Sequence, residues 1–295
     1  MSLPAAPIGA PDLAPKLFQD ASAQYATIKG HKMRYSRSGS GPPLILLHTV
    51  RTQLDYFYKV FPSLSSLFEV YALDLLGHGY SDKPNVHYDE PLLRKYVYEF
   101  ILAQQLTQLT IVGESIGGAL ALTLAAEHPN LIAKVFSLNP YDYPTPSGNG
   151  IRRSSWLANI VFGAMPLPLF GPVFAGATTK SILRHVIYGG LYRRERLEES
   201  LLDELYDAGR LKGYSRVFRS VIAESRSWVA ARSLYEMIRL PVWLVYGDHD
   251  WSYREERISN SKLIPNSRFL TLENTGHFSC LDNPDAVTKI ISENR

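Results

Sequence analysis

Residues 109–127 read LTIVGESIGGALALTLAAE, and this stretch decides the fold. A short run rich in β-branched residues meets Gly113-x-Ser115-x-Gly117, and a helix-forming run follows at once. This order predicts a strand, a sharp turn and a helix, with Ser115 lifted above the sheet edge in strained backbone. The helix behind Ser115 would point free backbone N–H groups and the positive end of its dipole at the hydroxyl. The stretch therefore predicts a serine nucleophile rather than a capping serine in a glycine-rich turn.

The composition is typical of a soluble globular protein. The chain has 295 residues, 45% of them hydrophobic and 20% charged, which allows one domain with a large core or one domain carrying an insertion. The net charge of +3 is too small to predict binding to nucleic acid. Cys280 stands alone, so no internal disulfide is possible, and the first residues lack the pattern of a secretory signal. We therefore expect a cytoplasmic protein.

Short apolar runs alternate with helical runs on both sides of residues 109–127. The first two predicted strands form an antiparallel pair, and the continuous apolar runs that follow are typical of strands buried on both faces. The alternation predicts a mostly parallel sheet with helices on both faces. The predicted strands are 25–28, 32–36, 44–47, 68–74, 109–112, 132–140, 241–247 and 268–272.

The alternation stops between residues 141 and 240, and this stretch has a helical pattern. Its residues 156–175 are strongly apolar, but three prolines and two glycines argue against a helix that spans a membrane. Three interpretations remain open for this segment. It packs in the ordinary way, it lines an apolar acyl pocket, or it dips into an anionic membrane surface to which flanking arginines are attracted.

In these features the chain resembles the α/β-hydrolase family, whose nucleophile turn reads Gly-x-Ser-x-Gly between a strand and a helix. The resemblance implies an α/β fold with an eight-stranded, mostly parallel sheet and a helical cap inserted after strand 6. It divides the chain into an N-terminal arm (1–24), a core (25–140 and 241–295) and a cap or lid (141–240).

The resemblance also implies a catalytic triad in the chain order Ser…Asp…His. The family's acid follows a strand in Gly-x-x-Asp, which selects Asp250, with Asp248 and Asp142 as rivals. His277, in a glycine loop just past the last strand, matches the family's base. Ser115 would attack the acyl carbon, His277 would move its proton, and Asp250 would hold the imidazole.

The loop His48-Thr49-Val50-Arg51 matches the family's oxyanion loop. By that match the backbone N–H groups of Val50 and Ile116 would stabilise the oxyanion. Thr49 stands where the family usually has glycine, and a β-branched residue tolerates fewer backbone conformations. His48 at the end of a strand is expected to brace the loop rather than act as a base. For Arg51 we expect a solvated or salt-bridged side chain rather than a contact to an acidic group of the substrate.

The nucleophile restricts the chemistry. Family members that dehalogenate alkanes or open epoxides typically carry aspartate at this position, so Ser115 predicts acyl transfer to water. The leading hypothesis is a serine hydrolase that cleaves a carboxylic ester, thioester or lactone with an apolar acyl group, without metal or organic cofactor. The alternatives are a carbon–carbon bond hydrolase of the meta-cleavage type and a non-catalytic binding protein on the same fold. Glu114 is expected to tie down a neighbouring loop, with no catalytic role.

These hypotheses imply a small-molecule acyl substrate and no nucleic acid partner. A peripheral contact to a membrane through the cap is left open.

Overall fold

A central sheet of eight strands organises the part of the chain that the computed structural model describes, namely residues 23–146, 150–165, 167 and 179–295. The strand order is β1-β2-β4-β3-β5-β6-β7-β8. The pairs β1–β2 and β2–β4 are antiparallel, and all the other neighbours are parallel. The prediction of an eight-stranded, mostly parallel sheet is confirmed. The strands are β1 (Ala23–Ile28), β2 (His31–Ser38), β3 (Pro43–Leu47), β4 (Glu69–Leu73), β5 (Leu109–Glu114), β6 (Ile132–Leu138), β7 (Val242–Gly247) and β8 (Ser267–Leu272).

Helices cover both faces of this sheet, which explains why its central strands are mostly apolar. Every residue of β5 is buried, and so is nearly every residue of the helix that follows it. The helices of the core are α1 (Phe61–Ser65), α2 (Glu90–Ala103), α3 (Ile116–Glu127), α9 (Arg254–Leu263), α10 (Ser279–Asp282) and α11 (Pro284–Glu293). A 3₁₀ turn at Leu54–Phe57 lies between β3 and α1.

The segment between β6 and β7, here called the insertion, contains helices and no strand among its described residues. Its α-helices are α4 (Trp156–Ala164), α5 (Lys180–Tyr188), α6 (Glu199–Gly209), α7 (Tyr214–Ala223) and α8 (Ser225–Ala231). Its 3₁₀ turns are Gly150–Arg153, Arg194–Arg196 and Arg232–Met237. Helices therefore occupy the place in the chain where the sequence predicts a cap. Residues 1–22 of the predicted arm lie outside the described residues, and β1 begins at Ala23.

The apolar segment 156–175 is described only at residues 156–165 and 167. Along α4, Trp156 and Ile160 are exposed, whereas Phe162 is buried. In the described part of the chain no helix has both the length and the hydropathy needed to cross a bilayer. The predicted peripheral membrane contact stays a prediction.

A buried ion network fixes the loops that follow β3 and β4. The guanidinium of Arg34 on β2 bonds to Asp74, with Nε 2.6 Å from Oδ2, and to Asp55. Asp74 also accepts backbone hydrogen bonds from Leu54 at 2.7 Å and from Tyr80 at 2.8 Å. Burial raises the pKa of Asp74, but Arg34 and these bonds outweigh burial and hold its pKa below the usual value. One buried cation therefore compensates two carboxylates that anchor the loops beside the nucleophile.

We predict that Arg34→Met lowers the free energy of unfolding by about 3 kcal/mol or more, because it leaves Asp55 and Asp74 buried without a counter-ion. Arg37→Met on the same strand is the matched control. Arg37 is half exposed and pairs with Glu69 at the surface, so its replacement lowers the free energy of unfolding by less than about 1 kcal/mol. Urea unfolding of both variants measures the difference, and equal losses would contradict the prediction.

Candidate active site

The turn at Ser115 has the strained geometry that the sequence predicts. Ser115 follows β5 with φ of 57° and ψ of −117°, a region that residues with a side chain seldom adopt, and α3 begins at the next residue. A Cβ on Gly113 would lie 2.0 Å from the carbonyl oxygen of Gly117, and a Cβ on Gly117 would lie 2.0 Å from that of Leu47. Both glycines are therefore required, because strand, turn and helix touch through their backbones.

Asp250 and His277 form a buried pair. Nδ1 of His277 lies 2.5 Å from Oδ1 of Asp250, and both side chains are 1% exposed. The other oxygen of Asp250 accepts bonds from the backbone N–H of Ser252 at 2.9 Å and from its hydroxyl. Burial raises the pKa of Asp250, but the nearby His277 and these hydrogen bonds prevail and keep its pKa below the usual range. Asp250 is thus held as a carboxylate that orients the imidazole.

The second ring nitrogen of His277, Nε2, is not engaged by Asp250. Since Nδ1 donates to Asp250, Nε2 carries the lone pair. Nε2 is buried and bonds to no partner among the described residues, and hence not to Ser115. In ligand-free enzymes the bond between nucleophile and base is often long and shortens when substrate binds.

Glu114 connects the turn of Ser115 with the loop of His277. Its Oε1 accepts hydrogen bonds from the backbone N–H of Ser279 at 2.6 Å and from the Ser279 hydroxyl. Its Oε2 accepts a bond from the hydroxyl of Tyr56. Burial raises the pKa of Glu114, and the bonds from Ser279 and Tyr56 oppose that rise. Glu114, which precedes Ser115, is therefore bonded to Ser279, two positions after His277, and the expectation that Glu114 ties down a loop is confirmed.

Asn139, the residue after β6, makes a second connection at the same sheet edge. Its Nδ2 donates to the carbonyl oxygen of His277 at 2.9 Å, and its Oδ1 accepts from the N–H of Gly247 at 2.8 Å. The sequence analysis did not single out Asn139. Its position after a buried strand, followed by proline, is the only sequence signal for it, and its φ of 41° is visible only in the structure.

The two rival acids have other partners. Asp248 accepts backbone hydrogen bonds from Asn274 and Thr275, each at 3.0 Å, and so shapes the loop before His277. Asp142 accepts a long bond of 3.4 Å from Tyr246, and burial places its pKa well above the usual value. Burial therefore disfavours the charged form of Asp142, and Asp250 is the acid in contact with His277.

The loop after β3 places a free donor beside the turn. In the described part of the chain the backbone N–H of Val50 donates no hydrogen bond. Ile116 is the first residue of α3, so its N–H has no acceptor within the helix. The left-handed backbone position falls on Arg51, with φ of 65°, and not on Thr49. This explains why the loop accepts threonine where the family usually has glycine.

Side chains brace this loop. Nδ1 of His48 lies 2.8 Å from the carbonyl oxygen of Thr49, and its Nε2 accepts a hydrogen bond of 3.1 Å from the backbone N–H of Leu75. Burial lowers the pKa of His48, so the ring is neutral and serves as a brace, as predicted. The expectation for Arg51 is wrong. Arg51 is buried, donates to the carbonyl oxygen of Leu205 at 3.3 Å and stacks over Tyr214, and no ion pair among the described residues includes it.

An apolar pocket opens between this loop and the insertion. The loop 49–52 lines one part of the pocket, and apolar side chains from the core and from the insertion line the rest. Trp251 and Phe278 in this wall directly follow Asp250 and His277, so the pocket lies beside the buried pair. The apolar wall consists of Ile151, Phe162, Leu183, Val186, Ile187, Trp251 and Phe278. Across the described ranges, no group of three His, Cys, Asp or Glu side chains is arranged to hold a metal ion.

Two further residues near the acid were missed by the sequence analysis. Ser252 caps the carboxylate of Asp250, and a hydroxyl two residues after an aspartate is a weak signal for such a turn. Arg257 is buried and donates to the carbonyl oxygens of Gly247 at 2.7 Å and of Asp250 at 3.0 Å. Nothing in the sequence distinguishes Arg257 from the exposed arginines of other helices.

Comparisons with known proteins agree with this architecture. A family model described as alpha/beta hydrolase fold matches residues 42–165. An uncharacterised protein of Mycobacterium tuberculosis is 25% identical over 282 residues, covering 91% of this chain and 79% of its own. A 2-hydroxy-6-oxo-6-(2'-aminophenyl)hexa-2,4-dienoic acid hydrolase of Metapseudomonas resinovorans is 30% identical over 113 residues, covering 37% of this chain and 39% of its own. The solved structure of epoxide hydrolase CorEH superimposes with a TM-score of 0.81 at 23% identity, covering 93% of this chain and 98% of that one.

We predict that Glu114→Leu lowers the free energy of unfolding by about 3 kcal/mol or more, because it leaves the buried donors of Ser279 and Tyr56 unpaired. Glu114→Gln is the matched control. Its amide oxygen still accepts from Ser279 and its amide nitrogen donates to the oxygen of Tyr56. The glutamine variant therefore loses less than about half as much free energy of unfolding as the leucine variant. Thermal and urea unfolding of both variants tests this, and a leucine variant as stable as the glutamine variant would contradict it.

Proposed function

The chain has the α/β-hydrolase fold, and on that premise we propose that it is a serine hydrolase. Its substrate would be a carboxylic ester, thioester or lactone with an apolar acyl group. The observation that carries the proposal is the buried pair of Asp250 and His277, with the free Nε2 of His277 in a loop bonded through Glu114 to the turn of Ser115.

The reaction follows from the roles of these groups. Nε2 of His277 takes the proton of the Ser115 hydroxyl while Oγ attacks the acyl carbon. The N–H groups of Val50 and Ile116 stabilise the oxyanion, and each such donor contributes about 3 kcal/mol. The imidazolium then protonates the leaving group, and an acyl-serine remains. Water, deprotonated by His277, attacks this ester and releases the acid, which restores Ser115.

The apolar pocket supports an apolar acyl group. Its wall joins residues beside the triad to side chains of α4 and α5 in the insertion. We propose that the insertion, residues 141–240, acts as the cap over this pocket, in which an acyl chain would replace water.

A second candidate is supported by Arg51. A buried guanidinium that lines the pocket and forms no ion pair among the described residues suits a substrate that carries its own carboxylate. The hexadienoic acid hydrolase named above acts on such an acid by its name. Carbon–carbon bond hydrolysis of an acidic dienoate is therefore the alternative to ester hydrolysis.

We predict that Asp250→Asn lowers kcat/KM for p-nitrophenyl esters by about 10³-fold or more, because the imidazole loses the carboxylate that fixes its tautomer and stabilises its cation. Asp142→Asn is the matched control and keeps kcat/KM within about threefold of wild type, because Asp142 bonds to Tyr246 rather than to His277 and the amide oxygen can accept the same bond. Steady-state kinetics measures both variants. Labelling by a fluorophosphonate, abolished in Ser115→Ala, establishes the nucleophile independently. Equal losses in the two aspartate variants, or a folded wild-type chain that is never labelled, would refute the proposal.

We predict that kcat/KM rises about three- to fourfold for each methylene added to the acyl group from acetate to hexanoate, because each buried methylene contributes about 0.8 kcal/mol. Arg51→Met lowers kcat/KM for these neutral esters by a smaller factor than for a substrate that carries a carboxylate, since the neutral esters have no charge for the guanidinium. Absence of ester turnover, together with cleavage of an acidic dienoate that Arg51→Met abolishes, would favour the second candidate instead.

A further inference from the structure

Trp251 lies face to face with the imidazole of His277. The centroids of the two rings are 4.0 Å apart and their planes differ by 16°. Phe278 meets both rings edge-on, with centroids 5.6 Å from Trp251 and 5.4 Å from His277. Trp251 directly follows Asp250, so one short turn supplies both the carboxylate at the edge of the imidazole and the indole on its face.

The insertion holds the indole in this position. Nε1 of Trp251 donates to the carbonyl oxygen of Gly189 at 2.8 Å, at the end of α5. The carbonyl oxygen of Trp251 accepts a bond of 3.1 Å from Arg153, which also forms two hydrogen bonds with Glu256. A Cβ on Gly190 would lie 2.7 Å from the indole, so the backbone of the insertion packs directly against it.

The same stretch of the insertion is bonded to the loop of His277. The N–H of Phe278 donates to the carbonyl oxygen of Gly190 at 3.2 Å. The carboxylate of Asp282 accepts from the N–H groups of Tyr192 at 2.7 Å and of Gly276 at 2.8 Å. The insertion therefore reaches the base from two sides, through the indole and through the loop backbone.

We propose that Trp251 is a positioning residue for the base: its indole holds the ring of His277 and transmits the placement of the insertion to it. An aromatic face attracts a cation, so the stack favours the imidazolium that forms when Ser115 is deprotonated. The inference rests on the proposed function, because it assigns Trp251 a part in the proton transfer by His277. A residue that only filled space would affect stability and leave the pH profile unchanged.

Three tryptophan variants separate these roles. Trp251→Leu removes the aromatic face but keeps the site apolar, so it lowers kcat/KM about tenfold and moves the acid limb of its pH profile about half a unit lower. Trp251→Phe keeps an aromatic face and restores the acid limb to within about 0.2 units. Trp156→Phe, at an exposed position on α4, is the matched control and behaves as wild type. The charged neighbours of the imidazole, Asp250 and Glu114, are unchanged in all three variants.

A glycine pair tests the link to the insertion without touching Trp251. Gly190→Ala places a methyl group 2.5 Å from the ring of Phe278 and 2.7 Å from that of Trp251, so it lowers kcat/KM about tenfold. In Gly163→Ala on α4 the added methyl group meets only the flexible end of Arg152, at 3.2 Å, so kcat/KM stays within about twofold of wild type. Thermal unfolding accompanies every variant. If Trp251→Leu does not fold, the glycine pair and Trp251→Phe decide the question.

The outcomes are distinct. A wild-type chain that neither turns over esters nor reacts with a fluorophosphonate would refute the proposed function. An active wild type with the acid limb of Trp251→Leu unchanged, and with Gly190→Ala as active as Gly163→Ala, would refute the positioning role alone. A lowered acid limb that Trp251→Phe restores supports that role.

Discussion

The hydrogen bonds of Glu114 and Asn139 at one edge of the sheet are the interactions on which the site depends. Glu114 is bonded to Ser279, 165 positions later in the chain, and Asn139 to the carbonyl oxygen of His277, 138 positions later. Because the carboxyl ends of parallel strands meet at one edge, residues after β5, β6, β7 and β8 converge there. The polar side chains then fix distances that the strands alone would leave variable. Buried polar groups of this kind are costly when unpaired, which makes the arrangement specific.

The turn of Ser115 adds a second constraint, which is steric. A serine with positive φ stores strain of about 1–3 kcal/mol, and such strain persists only where the surrounding structure imposes it. Here the surroundings are the contacts of Gly113 with Gly117 and of Gly117 with β3, which fix β5, α3 and the end of β3 in one arrangement. The same contacts bring the N–H of Ile116 and the loop of Val50 to the nucleophile. Strain at one residue thus follows from packing of the whole strand–turn–helix unit.

Much of the fold and of the candidate site could be predicted from the sequence. Buried parallel strands have continuous apolar runs, and the turn of Ser115 has a characteristic glycine spacing. The predicted strand 132–140 begins at the same residue as the observed β6 and ends two residues later. The partner of His277 was predictable because Asp250 follows a strand at a fixed spacing. Trp251 and Asn139 were not predictable, because their contacts join positions far apart, as in the 62-residue separation between Trp251 and Gly189. Arg51 was misjudged because a sequence does not show that a helix will cover an arginine and supply no carboxylate.

These contacts make the insertion part of the site rather than a cover laid over it. At one end Arg51, the left-handed residue of the Val50 loop, is held by the carbonyl oxygen of Leu205 at the end of α6 and by the ring of Tyr214 on α7. At the other end Trp251, stacked on the base, is held by Gly189 at the end of α5. The loop of Val50 and the face of the imidazole are therefore both held by the insertion between β6 and β7. Any displacement of these helices would therefore act on the imidazole and on the loop of Val50 together, in addition to the support that Asp250 and His48 give these groups in the core.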